Sequence, residues 1–450
     1  MGSVTLERWS SAGWGELANI SLFEPKHGLH SPMRLDYDTG VILLGSEILP
    51  ESADFDEDND VPIFSLPFVQ WPSPAIPGDV FRTYEGEPVA ALLRDLIPSG
   101  WARRRLLGKM GHRRQDGPHF DLALLQHGTC SPIGNLRINH PDSERATQFA
   151  PTPLDLDNPS EWRSPLVSSE YERGEDRARP LWAGLGAGGE SPKLLVNRCG
   201  NGQYYLDGNE THAYPITDYW LVKWPREPVT RNRVDILYAE YLYLQALQTL
   251  GFDAPEVQWR EDALWIRRFD RGPGGERYPV ESLYNVMGRI GNGARLSHID
   301  VLYTILPLAS DSDEMLIEYL IRDHLNRLLG NCDNHGRNTA FHRTERGIHL
   351  TPLYDVAPMV MDEDGIAWAT TWPRDWLNQG HPDWIAIVQR FAHDPERVFD
   401  GLQSRCVALT DLEQTAQWQV LPESVRKHTR VMPIGVPIDL YTCIHNQKRA

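Results

Sequence analysis

The sequence predicts an α+β protein with a small α+β N-terminal part, a β-rich middle and a mostly helical C-terminal part. Three observations predict it. Residues 1–140 alternate short apolar runs (NISLF, GVILLG, VPIFSLPFVQW) with turns, then become helical at PVAALLRDLIPSGWARRRLLGKM and continue through FDLALLQHGTCSPIGNLRI. From about residue 181 a glycine-rich loop leads into strand, strand, helix and strand. Beyond that the pattern is mostly helical. Between the first two regions, residues 141–180 are polar, proline-rich and charged, the composition of an exposed connection. No internal repeat is visible.

Composition sets the bounds. A chain of 450 residues is too long for one small core, which predicts two or three domains. The apolar fraction of 41% and charged fraction of 24% are those of an ordinary globular protein. No stretch approaches about twenty uninterrupted apolar residues, and the opening MGSVTLERWSSAGWGEL has no basic region followed by an apolar core. A cytoplasmic protein with no membrane contact is expected. The five cysteines, Cys130, Cys199, Cys332, Cys406 and Cys443, are scattered and lack a CxxC pair, which argues against a disulfide framework and against a zinc site. A net charge of −18 disfavours nonspecific nucleic-acid binding by the surface as a whole.

The chemistry begins at GLGAGGESPKLLV, Gly184 to Val196, where four glycines precede Lys193 and an apolar run. Glycines let successive backbone N–H groups approach a phosphate without side-chain obstruction. The loop is not a P-loop, because GxxxxGK[ST] does not fit, and a flexible turn would look similar. In DYWLVKWP, Lys223 stands alone among apolar residues of a strand. If it points inward it needs an anionic partner; if outward, it is an ordinary solvent-facing lysine. The helix VDILYAEYLYLQALQTLGF follows, carrying Glu240, which is either the carboxylate for Lys223 or one more surface acid. DALWIRRFDR then gives another strand, leading into the loop GPGGERYPVESL.

LLGNCDNHGRNTAF, Leu328 to Phe341, places Asp333 five residues before Asn338 between a helix and a strand. Asn and Asp cap turns, and DNHG would make a turn by itself. In protein kinases, however, the catalytic loop has an Asp at this distance before an Asn, the Asp accepting the proton of the attacking hydroxyl and the Asn helping to hold magnesium. A later Asp holds the metal that bridges the phosphates. LTPLYDVAP puts Asp355 at the end of an apolar strand, so Asp333, Asn338 and Asp355 stand in the order base, metal ligand, metal ligand, after the glycine loop and Lys223.

Taken together, GAGGESPKLLV, YWLVKWP, IRRFDR, GNCDNHGRN and LTPLYDVAP resemble the HipA family of serine/threonine kinases, the toxins of bacterial HipB–HipA toxin–antitoxin pairs. LLRDLIPSGWARRRLL and DLALLQHGTCSPIGNLRI resemble the family's N-terminal subdomain, so the likeness covers nearly the whole chain, loosely over the first sixty residues. The resemblance implies a HipA-like kinase fold: an N-terminal subdomain over 1–140, a connection over 141–180 and the kinase core over 181–450. It implies ATP and magnesium as cofactors, Asp333 as catalytic base, Asn338 and Asp355 as magnesium ligands, and Lys223 on the ATP phosphates. The loop Gly188, Gly189, Glu190, Ser191, Pro192 and Lys193 would cover those phosphates. Arg267, Arg268 and Phe269 would form the hinge beside adenine, where backbone groups make the recognition, and His335 would lie near the terminal phosphate.

Two departures stand out. HipA kinases often carry a serine just ahead of the glycine loop that they phosphorylate on themselves, ejecting the loop; Gly186 takes that place here. Ser191 remains as a candidate autophosphorylation site, or as a plain loop serine. The hinge position of Arg267 is often acidic in relatives. By analogy with the family, the expected substrate is a protein hydroxyl, on an aminoacyl-tRNA synthetase, and the expected partner is a HipB-like DNA-binding antitoxin, through which alone nucleic acid would be met. Two alternatives remain open: a nucleotide-binding corepressor of such an antitoxin without phosphotransfer, and a magnesium-dependent nuclease, since an Asp/Asn metal cluster does not choose between water and a hydroxyl as nucleophile.

Overall fold

The computed structural model describes residues 1–40, 65–112, 115–127, 131–139, 153–155, 186–208, 214–290 and 294–432. The connection expected over 141–180 lies outside them except for residues 153–155, as do GVILLG after Gly40 and the cysteines Cys130 and Cys443. Cys199, Cys332 and Cys406 are buried free thiols. Among the described residues no helix is long and apolar enough to cross a membrane. The chain forms two compact units, Met1–Arg226 with Arg267–Ile290, and Glu227–Ile266 with Gly291–Ala450.

The first unit opens with strands β1 (Gly2–Ser10), β2 (Gly13–Leu22) and β3 (Met33–Tyr37), joined by β4 (Tyr84–Glu85) and β5 (Leu136–Ile138) into an antiparallel sheet of order β4-β3-β2-β1-β5. Alternation buries Val4, Leu6, Ala18, Ile20, Met33 and Leu35. The helical run after Gly86 is two helices, Glu87–Leu96 and Gly100–Lys109, rather than one. Pro98 disfavours helical backbone at Ile97, whose ψ is 137°, and the chain turns before restarting. Next comes an antiparallel set of order β7-β6-β8, from β6 (Lys193–Cys199), β7 (Tyr204–Leu206) and β8 (Ile216–Lys223). Leu194, Leu195 and Val196 of β6 are wholly buried, as expected of a strand covered on both faces.

In the second unit the helix Arg231–Thr249 starts at Thr230, whose side chain accepts the Arg233 N–H. A hairpin, Val257–Arg260 with Ala263–Arg267, follows. The helix Ser312–Leu328, capped by Asp311, leads to the hairpin Ala340–Thr344 with Gly347–Leu350. The strand expected to reach Asp355 stops at Leu350. Pro352 has no N–H to give a ladder and Asp355 takes φ +52°, so the segment continues as a loop.

One histidine ties this unit to pH. His324, on the helix Ser312–Leu328, is buried edge-on to Trp384, and burial lowers its pKa to about 4 although Asp323 pulls it upward. A folded value below the unfolded one, about 6.5, means its contribution is complete above that pH and is lost as pH falls toward 4. The unfolding midpoint should therefore drop across this window, by the equivalent of about 3 kcal/mol at most. Denaturant titrations at several pH values read the slope, which His324→Asn should flatten.

Candidate active site

Within the first unit the glycine loop is held from several sides. Lys193 lies under it, its Nζ donating to the Gly188 carbonyl. The Gly189 carbonyl accepts the N–H of Trp101, at the start of the helix Gly100–Lys109, at 3.0 Å. Glu190 pairs with Arg104 at 2.7 Å on the surface. Pro192 is buried and its carbonyl accepts the Trp224 N–H at 3.0 Å. Gly188, Gly189 and Glu190 are exposed and Ser191 is half-buried. Gly186 lies flat on a neighbouring backbone: a Cβ there would stand 1.8 Å from the Ser131 carbonyl oxygen.

Lys193 and Lys223 are directly opposite each other in the β6–β8 register, and they are 7% and 8% exposed. Two like charges facing across a ladder destabilise a sheet, and burial adds to the cost. Two ammoniums brought together in this way favour an anionic group beside them. The outward-facing reading of Lys223 is excluded by its burial. Glu240, 1% exposed on the helix of the second unit, is not a surface acid either.

The predicted hinge residues take unequal parts. The Arg267 guanidinium is half exposed and pairs with Asp218 at 2.8 Å. Phe269 is half-buried. Arg268 is buried, its N–H donating to the Tyr219 carbonyl at 2.8 Å and its side chain to Asp207 and Asp270, both at 2.7 Å. Arg271 adds contacts to Asp270 and to the Pro132 carbonyl at 2.9 Å, and the Gly134 N–H donates to Asp270 at 2.8 Å. Arg268 also reaches the Pro132 carbonyl, at 3.1 Å. Burial alone would raise the two carboxyls, but Arg268 and Arg271 outweigh it and hold both well below the usual carboxylate range.

Asp333, His335, Asn338 and Asp355 belong to the second unit, where one helix end sets up their loop. Gly330, at φ +72°, follows the helix Ser312–Leu328, and the Asn331 N–H returns to the Asn326 carbonyl at 2.7 Å, a Schellman-type stop. A Cβ at Gly330 would also meet Val360 at 2.8 Å. The Asn331 amide donates to the Asp355 carbonyl at 3.0 Å, which ties the segment after the helix to the one that carries Asp355. The Asn338 Nδ2 donates to the Asp333 carbonyl at 2.6 Å, closing the loop. His335 Nδ1 accepts the Arg337 N–H at 3.2 Å, so the neutral ring carries its proton on Nε2, which lies 3.6 Å from Asp333 Oδ1. That separation is electrostatic proximity rather than a hydrogen bond.

This donor set fits magnesium. With Nδ2 spent on the Asp333 carbonyl, Asn338 offers its amide oxygen, and Asp355 offers a partly exposed carboxylate. Among the described residues there is no group of three or more His, Cys, Asp or Glu that could cage an ion. Magnesium needs no such cage, because it is commonly held by one or two carboxylates, water and substrate phosphates.

Residues 185–411 match the model of the HipA-like C-terminal domain. Toxin YjjJ of Escherichia coli (strain K12) is 25% identical over 182 residues, which are 39% of this chain and 39% of that protein; the match thus spans well under half of the relative's length. Among solved structures, a chain of the Shewanella oneidensis MR-1 toxin–antitoxin complex of HipA, HipB and operator DNA aligns with a TM-score of 0.61 at 16% identity, covering 99% of this chain and 95% of that one. At this identity the likeness is one of fold.

Proposed function

Since the chain belongs to the HipA family of toxins, we propose that it is an ATP- and magnesium-dependent serine/threonine protein kinase. The observation that carries the reading is the loop in which Asn338 grips the Asp333 carbonyl while Asn331 grips that of Asp355. A base and two oxygen donors for a cation are thereby fixed by one short stretch of backbone.

In this reading Asp333 accepts the proton of a serine or threonine hydroxyl of the protein substrate. The freed oxygen attacks the γ-phosphorus of ATP, and the bond to the β-phosphate oxygen breaks to leave ADP. His335, whose Nε2 is 3.6 Å from Asp333 Oδ1, lies near the terminal phosphate in this reading. Lys193, Lys223 and the Gly188–Lys193 loop bind the phosphates, with the backbone of Arg267, Arg268 and Phe269 at the adenine. Asn338 and Asp355 would hold the magnesium, whose charge neutralises the phosphate oxygens. Ser191 is the hydroxyl within the glycine loop that autophosphorylation would modify. The target on an aminoacyl-tRNA synthetase, the HipB-like antitoxin and the cytoplasmic location are carried by family analogy, and a fold does not fix a target.

Incubation with labelled ATP, magnesium and cell lysate should place the label on protein. Nucleotide binding without label transfer would favour the corepressor, and magnesium-dependent nicking of plasmid DNA the nuclease. Asp355→Ala should abolish transfer while the unfolding midpoint stays near that of the wild type. Full activity in this variant would remove Asp355 from the metal site.

A further inference from the structure

The proposed base is followed directly by a side chain that does not face solvent. Asp333 and His335 have side chains 30% and 33% exposed, whereas Asn334 between them is 8% exposed. Its amide is fully engaged with one short segment. Nδ2 donates to the Thr370 carbonyl at 2.8 Å, and Oδ1 accepts the N–H groups of Ala369 at 2.9 Å and Thr370 at 3.1 Å. The Thr370 hydroxyl returns a bond to the Asn334 carbonyl at 2.8 Å.

We infer that Asn334 and Thr370 form a positioning pair that sets the direction in which Asp333 presents its carboxylate, a role that rests on the kinase reading of the loop. Three bonds from one side chain fix both ring-like closures of the amide against residues 369–370. The fourth fixes the peptide following Asn334. A residue so bound cannot rotate its backbone without breaking buried hydrogen bonds, each costly to leave unmade. Its neighbours in sequence are therefore held facing the other way.

The anchor is itself rigid. Thr370 is 3% exposed and its strand, Thr370–Thr371, pairs in parallel with Leu296–Ser297. Two residues on, Trp372 stacks on His298, ring centres 4.6 Å apart, and donates from Nε1 to Asp323 at 2.8 Å. His298 reaches Asp323 at 3.3 Å and the Tyr319 hydroxyl at 2.8 Å, and Arg327 completes the cluster with Asp323 at 3.0 Å. Tyr319, Asp323 and Arg327 lie on the helix Ser312–Leu328, whose end launches the loop. The loop is thus gripped on both sides of Asp333 by features of one buried cluster.

The test compares Asn334→Ala, Thr370→Val and Thr370→Ser with the wild type. Asn334→Ala should lower kcat about a hundredfold, the scale of a misplacement of about 1 Å, with the KM for ATP within about twofold. Thr370→Val should lose about tenfold and Thr370→Ser, which keeps the hydroxyl, should recover most of it. Nucleotide-binding stoichiometry should stay at the wild-type value, which a loss of folded protein would lower. Hydrogen exchange should quicken over residues 333–338 and not over the helix Ser312–Leu328. Equal turnover and exchange in all four proteins overturns the positioning role alone. A wild-type protein that transfers no phosphate overturns the kinase reading and this role with it.

Discussion

Asp333→Asn is expected to reduce phosphotransfer by about 10²–10⁴-fold while leaving ATP affinity unchanged, because it removes a proton acceptor and keeps the shape. The geometry makes the variant a clean one. Asn338 holds Asp333 through its backbone carbonyl, at 2.6 Å, and that contact does not depend on the side chain at position 333. The loop should stay closed, and the proposed magnesium donors Asn338 and Asp355 should stay in place. Single-turnover rates with labelled ATP, measured beside equilibrium nucleotide binding, separate the two effects. Near-normal turnover with normal binding would take the role of base away from Asp333. If expression of the wild-type protein arrests cells, the same substitution should restore growth.

The largest effect on stability is expected at Asp270. Its carboxylate is 2% exposed and takes hydrogen bonds from Arg268, Arg271 and the Gly134 N–H. Asp270→Ala leaves two buried guanidiniums with Asp207 as their remaining carboxylate partner in this cluster, a loss of about 3–5 kcal/mol. Against a typical total of about 5–15 kcal/mol, that is enough to unfold much of the first unit near body temperature. Denaturant unfolding followed by hydrogen exchange over β6 to β8 measures it, and a change below about 1 kcal/mol would show that the network is dispensable. The same network predicts an acid limit. Asp207 and Asp270 have folded values held below their unfolded value of about 3.9, so their stabilisation is present above that pH and is lost as pH falls below it.

Side-chain identity and spacing made part of the site legible from the chain alone. Asp333 and Asn338 lie within one loop, and the rule linking them is local. Lys223 was ambiguous until its burial opposite Lys193 was known, because sequence does not say which way a lone strand lysine points. Arg268 was expected beside adenine through its backbone, and nothing local announced that its side chain enters a buried network with Asp207, sixty-one residues earlier. Asn334 gave no signal at all, since its partners lie thirty-five and thirty-six residues further on. Asparagine in a polar turn is common, and only the pairing distinguishes it. The α+β class was legible from the change of apolar period along the chain, but the break at Pro98 and the early end of the strand before Asp355 were matters of local backbone that apolar pattern does not register.

The tight seat of Gly186 has a consequence for how this protein can change. Every substitution at this position adds a Cβ, and the nearest atoms are backbone: the Ser131 carbonyl oxygen at 1.8 Å, its carbon at 2.8 Å and the Pro132 Cα at 3.0 Å. Backbone yields less readily than a side chain, and here the Pro132 carbonyl is itself fastened by Arg268 and Arg271. No single codon change at 186 can therefore install a serine in the present arrangement. A lineage acquiring a phosphorylatable residue there must first loosen residues 131–132, and through them the arginine network, so the path to such a residue runs through less stable intermediates.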